Sequence, residues 1–154
     1  MNKNTTFRLF WLSFIFCLAI DPTNFIIGQN NQLPSNLVIG NWQNAILRAD
    51  GLTEIDGVEA FCQLTVCNQQ EFIIIKFINK NNYAVNVEWK DAVFHNGNWY
   101  YASNPNNKTL NIPANSTAEG SCQGALNLKL SKNSIQDVPQ TFEYFTVSGL
   151  KIIQ

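Results

Sequence analysis

Glu71 to Phe94 reads EFIIIKFINKNNYAVNVEWKDAVF, and its periodicity decides the fold class. Glu71 to Asn79 is apolar at consecutive positions, the pattern of a strand buried on both faces. Asn79-Lys80-Asn81-Asn82 is turn chemistry. Tyr83 to Phe94 then alternates, with Val85, Val87 and Trp89 on one side and Asn86, Glu88 and Lys90 on the other. The two segments are predicted to pair as a hairpin.

Outward from this stretch the same period-two signal recurs. Val58 to Val66 reads as a strand upstream. Downstream, His95-Asn96-Gly97-Asn98 is a hairpin turn, because Asn-Gly accepts the positive φ that tight hairpins need. Trp99 to Ala102, Lys108 to Ile112, Thr117 to Cys122 (an edge strand) and Ala125 to Leu130 follow, the last with Leu126, Leu128 and Leu130 on one face. Ser131 to Val138 holds at most one short helical turn. Phe142 to Ile153 closes the chain with a bulge predicted at Ser148-Gly149. Short strands at this spacing predict an all-β, two-sheet sandwich of about seven or eight antiparallel strands.

The first residues carry a different signal. Lys3 and Arg8 precede the apolar run Leu9 to Phe16 (LFWLSFIF), and Cys17-Leu18-Ala19 offers small residues two apart. This is the pattern of a cleavable secretory signal peptide. Cleavage is expected after Ala19, or after Gly28. The expected organisation is a signal peptide and leader over 1–28, a flexible lead-in over 29–36 and the sandwich over 37–154. The apolar run is far shorter than the ~20 residues that span a bilayer, and no later segment reads as a span. An exported protein is expected, in the periplasm, at the cell surface or outside the cell.

Charge limits the partners. Only 14% of the 154 residues are charged, and the formal net charge is -1. Neither nucleic acid nor an acidic membrane surface would be strongly attracted. Asparagine occurs 22 times and suits a loop-rich β protein.

Export makes a disulfide the default fate of cysteine. Cys62, Cys67 and Cys122 follow the leader, so one thiol is left over. Cys67–Cys122 or Cys62–Cys122 would close a long loop, worth about 4 kcal/mol in the chain-entropy model. Cys62–Cys67 would close a short one and contribute less. Three scattered cysteines lack zinc-type spacing, so no metal site is expected.

Glu71 to Trp89 together with Ile112 to Cys122 (IPANSTAEGSC) resembles a group of small exported bacterial proteins. They share Lys-Phe-x-Asn-x-Asn-Asn-Tyr, a Val-x-Val-x-Trp strand and a late Glu-Gly-Ser-Cys. The resemblance covers about half of the mature chain. It implies an immunoglobulin-like or fibronectin-like β-sandwich and implies no activity. It favours Cys67 as the partner of Cys122, and Cys62 departs from the shared pattern.

Catalytic patterns are weak. His95 is the sole histidine, and beside Asn-Gly it is predicted to be a solvated turn residue, not a member of a nucleophilic triad. Glu54, Asp56, Glu59, Glu71, Glu88 and Asp91 are candidates for a hydrolytic carboxylate pair. Asp50 to Glu59 fails the EF-hand pattern, because Leu52 and Ile55 stand where a ligand and a glycine belong. A looser calcium site through Asp50, Glu54 and Asp56 stays open. Asn107-Lys108-Thr109 and Asn115-Ser116-Thr117 fit a glycosylation sequon, which carries no glycan in a bacterial source. The most informative feature is aromatic: Trp99-Tyr100-Tyr101, with Trp89 and Trp42. On a strand Trp99 and Tyr101 share one face and Tyr100 takes the other. Exposed rings there could stack on sugar. The expectation is a non-catalytic, cofactor-free exported domain with a binding or structural role. The alternatives are a carbohydrate-binding module using Trp99 and Tyr101, a small hydrolase, and an adhesin or subunit that pairs through an edge strand with an envelope protein.

Overall fold

A computed structural model describes residues 36–102, 107–124, 126–131, 135 and 143–154. The predicted signal peptide and most of the lead-in lie outside them, as does most of the Ser131 to Val138 stretch. Ten strands follow in chain order: β1 (Gln43–Asn44), β2 (Glu54–Ile55), β3 (Val58–Cys67), β4 (Gln70–Asn79), β5 (Val85–His95), β6 (Asn98–Tyr101), β7 (Lys108–Ile112), β8 (Ser116–Glu119), β9 (Lys129–Ser131) and β10 (Tyr144–Ile153). Eight of them have three residues or more.

Two antiparallel sheets pack face to face. One holds β1-β3-β4-β8, with β2 also on β3 and β9 also on β4; the other holds β10-β5-β6, with β7 also on β5. The fold is a β-sandwich. Its core lies between the inward faces, where Ile73, Ile75 and Phe77 of β4 meet Val85, Val87 and Trp89 of β5, all fully buried. The Phe77 and Trp89 rings join the two sheets edge to face at 4.8 Å.

The predicted hairpin between Glu71–Asn79 and Tyr83–Phe94 does not form. β4 and β5 belong to opposite sheets. The buried amide of Asn79 explains the crossing. Its Nδ2 donates to Tyr83 O (2.9 Å), Ile112 O (3.2 Å) and Pro113 O (2.9 Å), and its Oδ1 accepts from Asn81 N at 3.0 Å. One side chain therefore fixes the Asn-Asn-Tyr turn as a bridge between layers.

The true hairpin partner of β4 is β3, through Asn68-Gln69. Asp56-Gly57 joins β2 to β3, and Asn96-Gly97 joins β5 to β6. All six turn residues have positive φ, as tight two-residue hairpins require.

Two other predicted segments change form. Leu126–Leu128 is a 3-10 turn, and only Lys129–Ser131 continues as strand. Strand β8 stops at Glu119 because Gly120 turns in against Leu128; a Cβ there would collide with the Leu128 carbonyl. That close approach is the physical reason for glycine in Glu-Gly-Ser-Cys. Just beyond it, Cys122 is bonded to Cys67, with Cα atoms 5.5 Å apart. Cys62 is a buried free thiol.

One edge of the sandwich is closed by the segment around β1. Ala45 N donates to Ala60 O of β3 at 2.8 Å, and Val147 N of β10 donates to Ala45 O at 3.0 Å. Tyr144 Oη donates to Asn44 O (3.1 Å) and Thr146 Oγ1 to Ala45 O (2.8 Å). These bonds lay the following residues, Ile46 and Leu47, beside β10.

Candidate functional site

The outward face of the four-stranded sheet carries the aromatic pair. Register places Tyr101, Ala92 and Thr146 in one cross-strand row, and Trp99, Phe94 and Tyr144 in the next. Tyr100 points the other way and packs on the core, as the alternation predicts. Trp99 is half-buried against Phe94 (5.2 Å between centroids) and Tyr144 (6.1 Å). Tyr101 is 56% exposed.

Between the flanking side chains of the first row, Ala92 is too short to fill the space. A groove of about 350 Å³ opens there. Ile46, Leu47 and Ile55 form one wall, Trp99 and Tyr101 another, and Thr146 to Leu150 the third, with Ala92 in the floor. The β10 register shifts between Ser148 and Lys151, and Gly149 sits at φ +62°. This is the predicted bulge. Its positive φ favours glycine, and it bends β10 around the groove mouth.

Trp89 and Trp42 stand apart from this pair. Trp89 is in the core. Trp42 lies under the Lys76 ammonium of the other sheet, 3.9 Å from nitrogen to ring centroid.

Of the acidic candidates, Glu54, Glu59, Glu88 and Asp91 sit in ion pairs. Glu54 and Glu59 are cross-strand partners, and both bind Lys80, at 3.0 and 2.7 Å. They are the carboxylates the fold brings together, and neither lines the groove. Asp50 is held by Arg48, whose guanidinium keeps its carboxyl at about 2. Asp50 and Glu54 are thus committed to different cations. Among the described residues no three His, Cys, Asp or Glu side chains gather where they could hold a metal ion. Glu88 accepts from the Asn107 amide, and Asn115 sits in an exposed turn at φ +49°.

Asp91 is the buried carboxylate. It shares the core-facing side of β5 with Trp89, whose Nε1 donates to Oδ1 at 2.9 Å, and Lys108 Nζ reaches Oδ2 at 2.5 Å. Burial pushes the Asp91 carboxyl above its ordinary range, with Lys108 and Trp89 opposing the shift.

His95 corrects an expectation. It is buried, with 7% exposure, rather than solvated in a turn. Strand β5 runs through it, and Asn96-Gly97 alone make the turn. Its position places it on the same face as Val93, with Nδ1 3.7 Å from Glu143 Oε1. Neither ring nitrogen has a hydrogen-bond partner among the described residues.

Sequence reasoning missed Ile46, Leu47 and Ile55 as groove residues. Ile46 and Leu47 lie in irregular chain after the two-residue β1 and Ile55 ends the two-residue β2, too short for periodicity to give a signal. Ala92, the one small residue on the outward side of an alternating strand, was the available clue.

Comparison with known proteins returns no matching family model, curated protein or solved structure. Among the described residues no helix is long and apolar enough to cross a membrane.

Proposed function

We propose that this chain is an exported, non-catalytic binding domain, and that the groove beside Trp99 and Tyr101 is its ligand site. The observation that carries the reading is the exposed Tyr101 ring beside a cleft floored by Ala92. An aromatic ring facing solvent on a rigid sheet, next to an apolar cleft of this size, is the usual make-up of a small-ligand site. Export is supported by the leader pattern, by the Cys67–Cys122 bond and by the resemblance to small exported proteins. The hydrolase alternative is disfavoured because Glu54 and Glu59 share the Lys80 ammonium outside the groove.

The test has two arms. Fractionation of cells making the full chain is expected to find it processed and outside the cytoplasm, with Cys67 and Cys122 linked. Tyr101→Ala and Ala92→Leu are expected to keep the circular-dichroism spectrum and thermal midpoint but lose ligand. Retention in the cytoplasm with the leader intact removes the first claim. Ligand binding indifferent to both substitutions removes the second.

A further inference from the structure

The groove's lining restricts what it can hold. Resting on the reading above, we infer that its ligand is an uncharged pyranose face, presented by a neutral glycan.

Three features of the lining support this. First, none of its residues is acidic or basic: Ile46, Leu47, Ile55, Ala92, Val147 and Leu150 are aliphatic, and the rest are aromatic, hydroxyl or glycine. A charged sugar would enter without a counter-charge and would lose hydration for nothing. Second, the Thr146 hydroxyl is engaged by Ala45 O, whereas no hydrogen bond among the described residues engages the Tyr101 hydroxyl, the Ser148 hydroxyl or the Trp99 indole N–H. Three unengaged polar groups at the walls of an apolar cleft suit a ligand with one apolar face and a hydroxyl rim. Third, Tyr101 offers an open ring, and Trp99 beside it is held by Phe94 and Tyr144, so that part of the aromatic wall is in place before the ligand arrives.

The test uses the mature chain in affinity electrophoresis against neutral glucan, mannan, xylan and galactan. Polygalacturonate, alginate and an aromatic-rich peptide serve as comparators. At least one neutral polysaccharide is expected to retard the protein, equally at about 50 mM and about 500 mM salt, because no ion pair is formed. Tyr101→Ala is expected to weaken that binding about tenfold or more through lost ring contact, and Tyr101→Phe to retain most of it. Ala92→Leu, which fills the floor without removing a ring, is expected to abolish it. Preferred binding of an acidic glycan, or of the peptide, that Ala92→Leu still blocks would overturn the neutral-glycan assignment and leave the groove intact as a site. Neutral-glycan binding that survives both Tyr101→Ala and Ala92→Leu would overturn the groove itself. No retardation by any polymer in the panel would also overturn the sugar assignment.

Discussion

Lys108 Nζ lies 2.5 Å from Asp91 Oδ2, and the Asp91 side chain is wholly buried. Lys108 Nζ also donates to Asn127 O at 3.0 Å, so a single ammonium ties β5 and β7 to the 3-10 turn before β9. Removing one partner of a buried ion pair leaves an uncompensated charge. Lys108→Met is therefore expected to cost about 3–5 kcal/mol in urea denaturation near neutral pH. Replacing both residues with apolar side chains of similar volume is expected to cost much less than that. Equal losses in the two variants would show that Lys108 acts through packing rather than charge.

The same carboxyl gives stability a pH dependence of defined sign. Burial raises Asp91 above the value it takes in an unfolded chain. Between those two values the native state holds a proton that the unfolded state has released. Asp91's contribution is thus most favourable below the ordinary aspartate range and declines as pH rises through the interval. The stability of the natural chain relative to Asp91→Asn is expected to climb as pH falls through that window. A difference that stays flat, or an Asp91 carboxyl that titrates in the ordinary range by carbon NMR, would contradict the assignment.

Much of the fold was legible in side-chain alternation. Val85, Val87 and Trp89 face the core, and the Asn96-Gly97 turn and the Ser148-Gly149 bulge lie where local chemistry requires them. The pairing of strands was less legible. Asn79-Lys80-Asn81-Asn82 has hairpin composition, yet Asn79 reaches carbonyls 33 and 34 residues away and carries the chain across the sandwich. Conversely, Asn68-Gln69 makes a tight hairpin although glutamine gives no turn signal. His95 is buried beside Glu143, far along the sequence, and no local pattern encodes that neighbour. At the site, Trp99 and Tyr101 were visible by parity. The wall opposite them was not, because Ile46 and Leu47 are placed by backbone bonds from Ala45 to two different sheets.

The cysteines make a chemical prediction. Cys67–Cys122 closes a separation of 55 residues. The chain-entropy model gives about 4 kcal/mol for such a loop, so Cys122→Ser is expected to lower stability by up to that amount. Cys62 is different: burial raises its thiol to about 12. Since the thiolate is the reactive form, Cys62 is expected to resist a thiol reagent at pH 8 until the protein unfolds. The unfolded chain ionises this thiol near its ordinary value of 9.0 while the native one does not, so stability is lost as pH rises from there towards 12. Peptide mapping without reductant that finds Cys62 bridged, or rapid labelling of native protein at one thiol, would refute this arrangement.

Asn79 concentrates more of the architecture than any other polar side chain described. Its two N–H groups are shared among three carbonyls of the β4–β5 crossing and of the chain leaving β7, and the bond its Oδ1 accepts orders Asn81. A buried carbonyl stripped of its donor loses roughly 1 kcal/mol or more. Asn79→Ala should therefore destabilise the domain by about 2–4 kcal/mol, more than a truncated surface asparagine would. Asn79→Asp should be worse at neutral pH, because a carboxylate would face three carbonyl oxygens with nothing to donate. It should improve on acidification, as the protonated acid recovers one donor. Thermal melts of the two variants at pH 4 and pH 7 separate these effects. If Asn79→Asp were indifferent to pH, the amide would be filling space rather than binding the two sheets together.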